Sequence, residues 1–213
     1  MIREARNTAA IPAIGDAESR VARRKRETRD RIFHTALDLF VDKGLDGTTV
    51  AEIARSADIG KGTFFTYYPT KECVFADVNR QIVTDMESAL DRAVASRKSF
   101  ELRIRAFFTP GIRWHAGNPV LSRHMLAAFL RDASYMRADC DNRERLQHRL
   151  ARELTAARKA AEINRTIDLP TAATAISGAY FGSLGVWHVG EMQSSLATDF
   201  ARSLHIVCRG LRP

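Results

Sequence analysis

Six histidines and three cysteines carry most of the reactive side-chain chemistry in this 213-residue sequence, and their spacing assembles no familiar reactive centre. No His-Glu-x-x-His pair occurs, and no serine stands in a Gly-x-Ser-x-Gly elbow. Cys73, Cys140 and Cys208 are scattered without Cys-x-x-Cys spacing, which argues against a disulfide framework and against a structural zinc site. Gly60-Lys61-Gly62 lacks the flanking glycine pattern of a phosphate loop. Asp139-Cys140-Asp141 reads as a link between helices, with no histidine close in sequence to activate the thiol. Neither an enzyme nor a cofactor is expected. What remains is the chemistry of charge: Arg20, Arg23, Arg24, Lys25, Arg26, Arg29 and Arg31 follow one another, diluted only by Glu27 and Asp30. Together with a net charge of +8, such a run suits a polyanion and reads as a phosphate-tracking arm.

The elements that position these charges are helical. Hydrophobic residues make up 45% of the sequence and charged ones 27%, enough to bury a core in one or two globular domains. No stretch approaches the roughly 18 uninterrupted apolar residues of a membrane span. No signal-peptide core opens the sequence, so a cytoplasmic chain with no membrane partner is expected. Ile32, Phe33, Ala36, Leu37, Leu39 and Phe40 form one apolar helical face, which Gly44 closes as a left-handed cap. Thr49 with Glu52 forms a capping box that opens a second, short helix. A turn over Asp58 to Gly60 leads to a third over Lys61 to Tyr67, and Pro69 ends it. No segment shows sustained period-two alternation. The class is all-α, with about nine helices: a three-helix head and six more near 71–96, 100–117, 119–131, 141–162, 170–190 and 196–210. The organisation reads as a basic N-terminal arm (1–24), a head (25–70) and a larger helical domain (71–213).

Val50 to Tyr67 meets the steric demands of a helix-turn-helix. Ile53 and Ala57 point inward from the first helix, Ile59 plugs the turn, and Phe64 and Tyr68 point inward from the second. Ala54 keeps the helix crossing close. The stretch TTVAEIARSADIGKGTFFTYYPTKECVF, Thr48 to Phe75, resembles the signature of the TetR family of bacterial transcription regulators, and FVDKG (Phe40 to Gly44) matches as well. The resemblance covers about the first third of the chain. It implies a three-helix DNA-binding head on a helical domain that dimerises and encloses an inducer pocket. It also implies a function: a ligand-released repressor that binds a pseudo-palindromic double-stranded operator as a homodimer. On that likeness Thr49 caps its helix beside a phosphate and Gly60 caps the recognition helix, while Lys61, Gly62, Thr63 and Thr66 face the groove. Phe65 and Tyr67 flank it, Lys71 meets a phosphate, and Arg24 and Lys25 extend the contact. Three residues depart from the family pattern: Asp58 for a turn glycine, Gly60 for a serine cap, and Phe65 for a tyrosine. Activation instead of repression stays open, as does a nucleoid or cell-division protein on the same fold without an inducer pocket.

Beyond the head the reading rests on pattern. Gly178, Gly182 and Gly185 form a smooth stripe on one helix, where three glycines cost enough helix propensity to want close packing in return. The resemblance places the dimer interface on the last two long helices, although a stripe packed inside one monomer fits the sequence too. Phe108, Trp114 and His115, then Met125 and Phe129, then Tyr180, Phe181 and Trp187 are candidates to line a pocket for a small-molecule inducer. Arg105 and Arg113 are candidate partners for an acidic ligand.

Overall fold

The computed structural model describes residues 19–213, and the greater part of the expected N-terminal arm, 1–18, lies outside them. Ten α-helices and one 3-10 turn make up the fold among the described residues. The head comprises α1 (Arg20–Gly47), α2 (Val50–Ser56) and α3 (Lys61–Tyr67). The 3-10 turn Glu72–Val74 leads into α4 (Phe75–Ala95), followed by α5 (Phe100–Gly117), α6 (Pro119–Arg131), α7 (Ala133–Ala138), α8 (Cys140–Lys159), α9 (Leu169–Val189) and α10 (Leu196–Gly210). Two details correct the sequence reading. Ser19 caps α1 by accepting from the Ala22 N–H, so residues 20–24 are helical and the expected boundary at residue 24 falls inside α1. The short α7 was not expected: six residues are too few to show a period, and its signal is Asp132, whose carboxylate accepts from the N–H groups of Ser134 and Tyr135.

The head is held by short-range devices. Gly44 breaks α1 at φ 74°, a left-handed value that only glycine takes without strain, and Leu45 folds back into the core. Thr48, fully buried, sets its hydroxyl between the Leu39 and Gly44 carbonyls, closing the last turn. In the α2–α3 turn Asp58 takes φ 53°. The Asp58 N–H donates to the Arg55 carbonyl and the Ile59 N–H to the Ala54 carbonyl, the two bonds of a left-handed helix cap that is most often closed by glycine. Aspartate is among the few side chains that tolerate this conformation. Ile32, Ala36, Phe40, Ile53, Phe64 and Tyr68 are almost wholly buried and form the head's core.

One continuous apolar core runs from the head into the larger domain. Phe40 packs on Phe75, and Phe75 on Tyr135, so the start of α4 is shared by both parts. The joint is also ionic. Asp77 of α4 takes two hydrogen bonds from the Arg29 guanidinium, at 2.6 and 2.7 Å, and it is also bonded by the Tyr68 hydroxyl and paired with Arg80. Within the larger domain α4 lies along α5, and α9 lies against α8 and α10. Gly111 on α5 is buried against Tyr180 of α9, where a Cβ would overlap the tyrosine hydroxyl, so glycine is required for these two helices to close.

Candidate nucleic-acid interface and ligand cavity

The outward face of the head is built by the capping box of α2 and by the whole of α3. Thr49 accepts from the Glu52 N–H while Glu52 accepts from the Thr49 N–H and hydroxyl, with Lys43 donating to Glu52 at 2.9 Å. That Lys43 bond, then the donors of Thr49, hold the Glu52 carboxyl down at about 2. Gly60 caps α3 without a side-chain bond. Lys61, Gly62, Thr63 and Thr66 are exposed, and Phe65 keeps 53% of its surface open. Phe64 and Tyr68 anchor α3 from behind, and Tyr67 is half-buried beside them. Thr66 donates its hydroxyl back to the Gly62 carbonyl. Arg24 and Lys25 are exposed on the first turns of α1, which project beyond Ile32, the first buried residue.

Lys71 stands elsewhere than expected. Its ammonium donates to the Leu45 carbonyl at 2.5 Å and to the Thr48 carbonyl at 2.7 Å, so it clamps the α1–α2 corner from inside instead of reaching outward. The Thr48 carbonyl has no helical partner and the Leu45 carbonyl has only the Thr48 N–H at 3.3 Å, so both still accept from a lysine facing the corner. Sequence could not show this, because the contact joins residues more than twenty positions apart.

A cavity of about 390 Å³ opens in the larger domain between α4, α5, α6, α8 and α9. Of the eight expected lining residues, His115, Met125, Phe129, Tyr180 and Phe181 do line it. Phe108, Trp114 and Trp187 do not. Phe108 is enclosed by Phe107, Tyr180 and Phe200 in the core; Trp114 meets His115 edge-on; and the Trp187 indole donates to the Ser194 carbonyl. Arg105 and Arg113 line a separate groove on the outer side of α4 and α5. The wall is completed by apolar residues such as Ile82, Met86, Leu126 and Leu184, which pattern reading left in the general core.

Polar atoms gather at two places on this wall. At one, Asn79 donates to the Tyr135 hydroxyl and to Asp139, and Asn142 donates to Asp139 and to the Ala76 carbonyl. Burial pushes the Asp139 carboxyl up, against the pull of these amides. Arg143 lines the same end. At the other, the Ser122 hydroxyl bridges Nδ1 of His115 and Nε2 of His188, each at 2.8 Å. Burial above all, and the neighbouring His188 second, pull the His115 imidazole down to about 3, and burial lowers His188 as well. Neither polar group could be found from sequence: Ser122 and His188 are 66 positions apart, as are Ala76 and Asn142.

A small three-helix head with a bare second helix of a helix-turn-helix, joined to a helical domain around a cavity, defines a helix-turn-helix DNA-binding class with a ligand-sized hollow. Comparison with known proteins narrows it. Residues 32–78 match the profile of bacterial regulatory proteins of the tetR family. The chain is 45% identical over 49 residues to the uncharacterized HTH-type transcriptional regulator YuxN of Bacillus subtilis, and 40% over 50 residues to the HTH-type regulator TcmR of Streptomyces glaucescens. These matches cover 23% and 24% of this chain but only 17% and 22% of the relatives' lengths. Thermus thermophilus FadR, a TetR-family repressor solved with lauroyl-CoA, superposes with a TM-score of 0.73 at 26% identity, over 85% of this chain and 94% of that one. FadR of Bacillus subtilis, solved with stearoyl-CoA, shares the fold at 16% identity with a TM-score of 0.70, over 86% of this chain and 99% of that one. The head of this chain thus matches the tetR-family DNA-binding domain, and the described residues as a whole share the fold of a TetR-family repressor.

Proposed function

We propose that the protein is a ligand-controlled transcription regulator that binds a pseudo-palindromic operator as a homodimer. The observation that carries this reading is α3, pinned from behind by Phe64 and Tyr68 with Lys61, Gly62, Thr63, Phe65 and Thr66 turned to solvent. A helix presented this way enters the major groove, about 12 Å wide. Lys61 and Thr63 offer donors and an acceptor to base edges, and Gly62, with no side chain, brings the backbone close. Thr49, Tyr67 and the α2 N-terminus hold phosphates, and Arg24 and Lys25 carry the charge along the duplex.

Dimerisation is supported by an uncovered face. A Cβ on Gly178, Gly182 or Gly185 would meet nothing within 4 Å, so the stripe is not packed within the monomer. Beside it Val186 and Val189 of α9 and Ile206 of α10 are 71%, 87% and 72% exposed. Two copies packed α9 and α10 against their mates would bury this face in a four-helix bundle about a two-fold axis.

Regulation is supported by the cavity, whose volume falls in the small-molecule range of about 300–1,000 Å³. α6 lines it through Ser122 and Met125, and the next residue but one after Ser122, His124, lies 3.8 Å from where a Gly44 Cβ would stand. An occupant that displaces α6 therefore presses on the corner from which the head hangs. It releases DNA to the extent that it binds the displaced state more tightly. Such a cavity, and the likeness to a repressor solved with lauroyl-CoA, favour a regulator with a hydrophobic effector over an architectural DNA protein.

Selection from random duplexes tests the reading. The expected product is one inverted repeat with half-sites about 10 bp or a multiple apart. Uniform binding to unrelated duplexes would move the protein to an architectural role, and no enrichment would remove the DNA-binding reading altogether.

A further inference from the structure

We infer that the cavity recognises an uncharged hydrophobic molecule through a single hydroxyl or carbonyl that joins the His115–Ser122–His188 chain. This rests on the ligand-controlled reading above and names the chemistry of its effector.

The argument starts from proton counting. Ser122 has one hydroxyl proton and two imidazole nitrogens at 2.8 Å, so it donates to one and accepts from the other. If it donates to His115 Nδ1, then His188 Nε2 carries a proton and donates to Ser122. His115 Nε2–H is then left as a free donor and His188 Nδ1 as a bare acceptor. If it donates to His188 Nε2, both ends reverse: His115 Nε2 becomes an acceptor and His188 Nδ1 a donor. The chain therefore has two states of opposite polarity, and its two outer nitrogens are always of opposite kind. Neither has a protein partner: Nδ1 of His188 is buried without one, and His115, itself 5% exposed, makes no hydrogen bond through Nε2. His188 Nδ1 is closed even to water, so His115 Nε2 is the outer nitrogen left for a ligand, and pairing it relieves the cost of an unpartnered polar atom.

Charge decides which ligand. Both imidazoles are held neutral at physiological pH by their burial, and Arg123, the cation that His188 feels, is exposed and does not line the cavity, so the lining at this end offers no cation to a carboxylate or phosphate. Nor does it offer an anion to an amine: the buried acid of the wall, Asp139, is already bonded by Asn79 and Asn142 at the other polar place. An ionised head at His115 would enter an apolar hollow unpaired, which is heavily penalised. A hydroxyl fits either polarity of the chain, because it both donates and accepts, and a carbonyl fits the one in which His115 Nε2 donates. The remaining wall, including Ile82, Met86, Met125 and Leu184, takes the hydrocarbon body.

The test uses three probes with one chain length and different heads: 1-decanol, decanoate and decylamine. Binding to the full-length homodimer is followed by calorimetry at pH 7.5, without DNA, so that failure of the DNA reading leaves this measurement intact. Decanol should bind at least about tenfold more tightly than either ion. Ser122→Ala and His115→Phe should each erase that preference; Ser122→Ala leaves two imidazole nitrogens unpaired and should lower the melting temperature while keeping the helical spectrum. A preference for decanol that survives in both variants would show that the chain does not read the head, and would overturn the inference. So would preference for decanoate lost on Arg143→Ala, which would place an anionic head at the other polar end, and so would binding of none of the three. Decanol binding without release of selected DNA would keep the inference and sink the regulatory reading.

Discussion

The head and the larger domain are built by different kinds of interaction. In the head, the decisive contacts lie within a few residues of one another: the capping box of Thr49 and Glu52, the left-handed turns at Gly44 and Asp58, the hydroxyl of Thr48 on Gly44. In the larger domain they join helices far apart in sequence: Asn142 to Ala76, His188 to Ser122, Tyr180 against Gly111. A surface specified by local motifs can be shared widely, as the match of the head to the tetR-family profile illustrates. A cavity specified by long-range pairs can change its occupant through two or three substitutions while the helices stay in place. The fold thereby keeps one output and varies its input.

The largest effect is expected at the face proposed to meet a second copy. In Gly182→Leu the monomer has room for the new side chain, since nothing stands within 4 Å of a Cβ there. In the proposed dimer the leucine fills the space of the opposing helix. Sedimentation should show a monomer with an unchanged helical spectrum. Operator affinity should fall on the order of 10²–10⁴-fold, because each head then binds its half-site without the effective concentration of its mate. An intact dimer with normal affinity would mean that this face is not the interface.

The joint between the halves comes next. Asp77 gathers Arg29, Arg80 and the Tyr68 hydroxyl, with only 11% of its own side chain exposed. Asp77→Ala leaves two guanidinium groups facing each other with no anion between them. Both arginines are more than a third exposed, so solvent screens much of the repulsion, and a loss of about 2 kcal/mol is expected. The head should melt earlier than the larger domain, while binding of a cavity ligand is retained. A single unchanged melting transition would show that the aromatic contacts of Phe75 carry the joint alone.

Two lysines sharpen the contrast further. Lys61 is exposed on α3, and Lys61→Ala should cost about 1–3 kcal/mol of operator binding with little effect on stability. Lys71 supports the corner from inside, and Lys71→Ala should cost about 1–2 kcal/mol of stability by freeing the Leu45 and Thr48 carbonyls. Binding by the folded fraction of that variant should keep its dependence on salt. A salt slope flatter by about one unit would restore the phosphate role to Lys71.

These residues also show what sequence can carry. The three head helices, both caps and the buried faces of Ile53, Phe64 and Tyr68 are legible because helix period and cap chemistry act over three or four positions. The glycine stripe was legible as an oddity, since three glycines on one helix weaken it unless packing compensates. The cavity was half legible: aromatic residues marked the right helices, but which of them face the hollow depends on rotations that no local pattern records. Phe108 and Phe129 look alike in sequence, and packing buries the first in the core while the second lines the cavity. Lys71 failed for the same reason in the other direction, because its partners lie at the far end of a folded corner.

The smallest expected effect is a matter of pH and confined to the head. The Glu52 carboxyl stands at about 2 against its ordinary 4.5, held there first by the Lys43 ammonium and then by the donors of Thr49. An acid whose value is depressed by folding contributes stability that is fully present above its unfolded-state value. That stability is lost as pH falls from about 4.5 towards about 2. Glu52→Gln keeps an acceptor for Thr49 but has no charge to titrate. The wild type should therefore exceed the variant by a constant small margin at neutral pH, and that margin should shrink through the acid window until the two converge. Because the pair is solvent-exposed, 0.5 M salt should narrow the neutral-pH margin as well. The difference between the two melting curves isolates this group from the other carboxylates, which titrate equally in both proteins. A margin that stayed constant down to pH 2 would show that the amide-like hydrogen bonds of the capping box hold α2, and that the Lys43–Glu52 charge pair adds nothing to them.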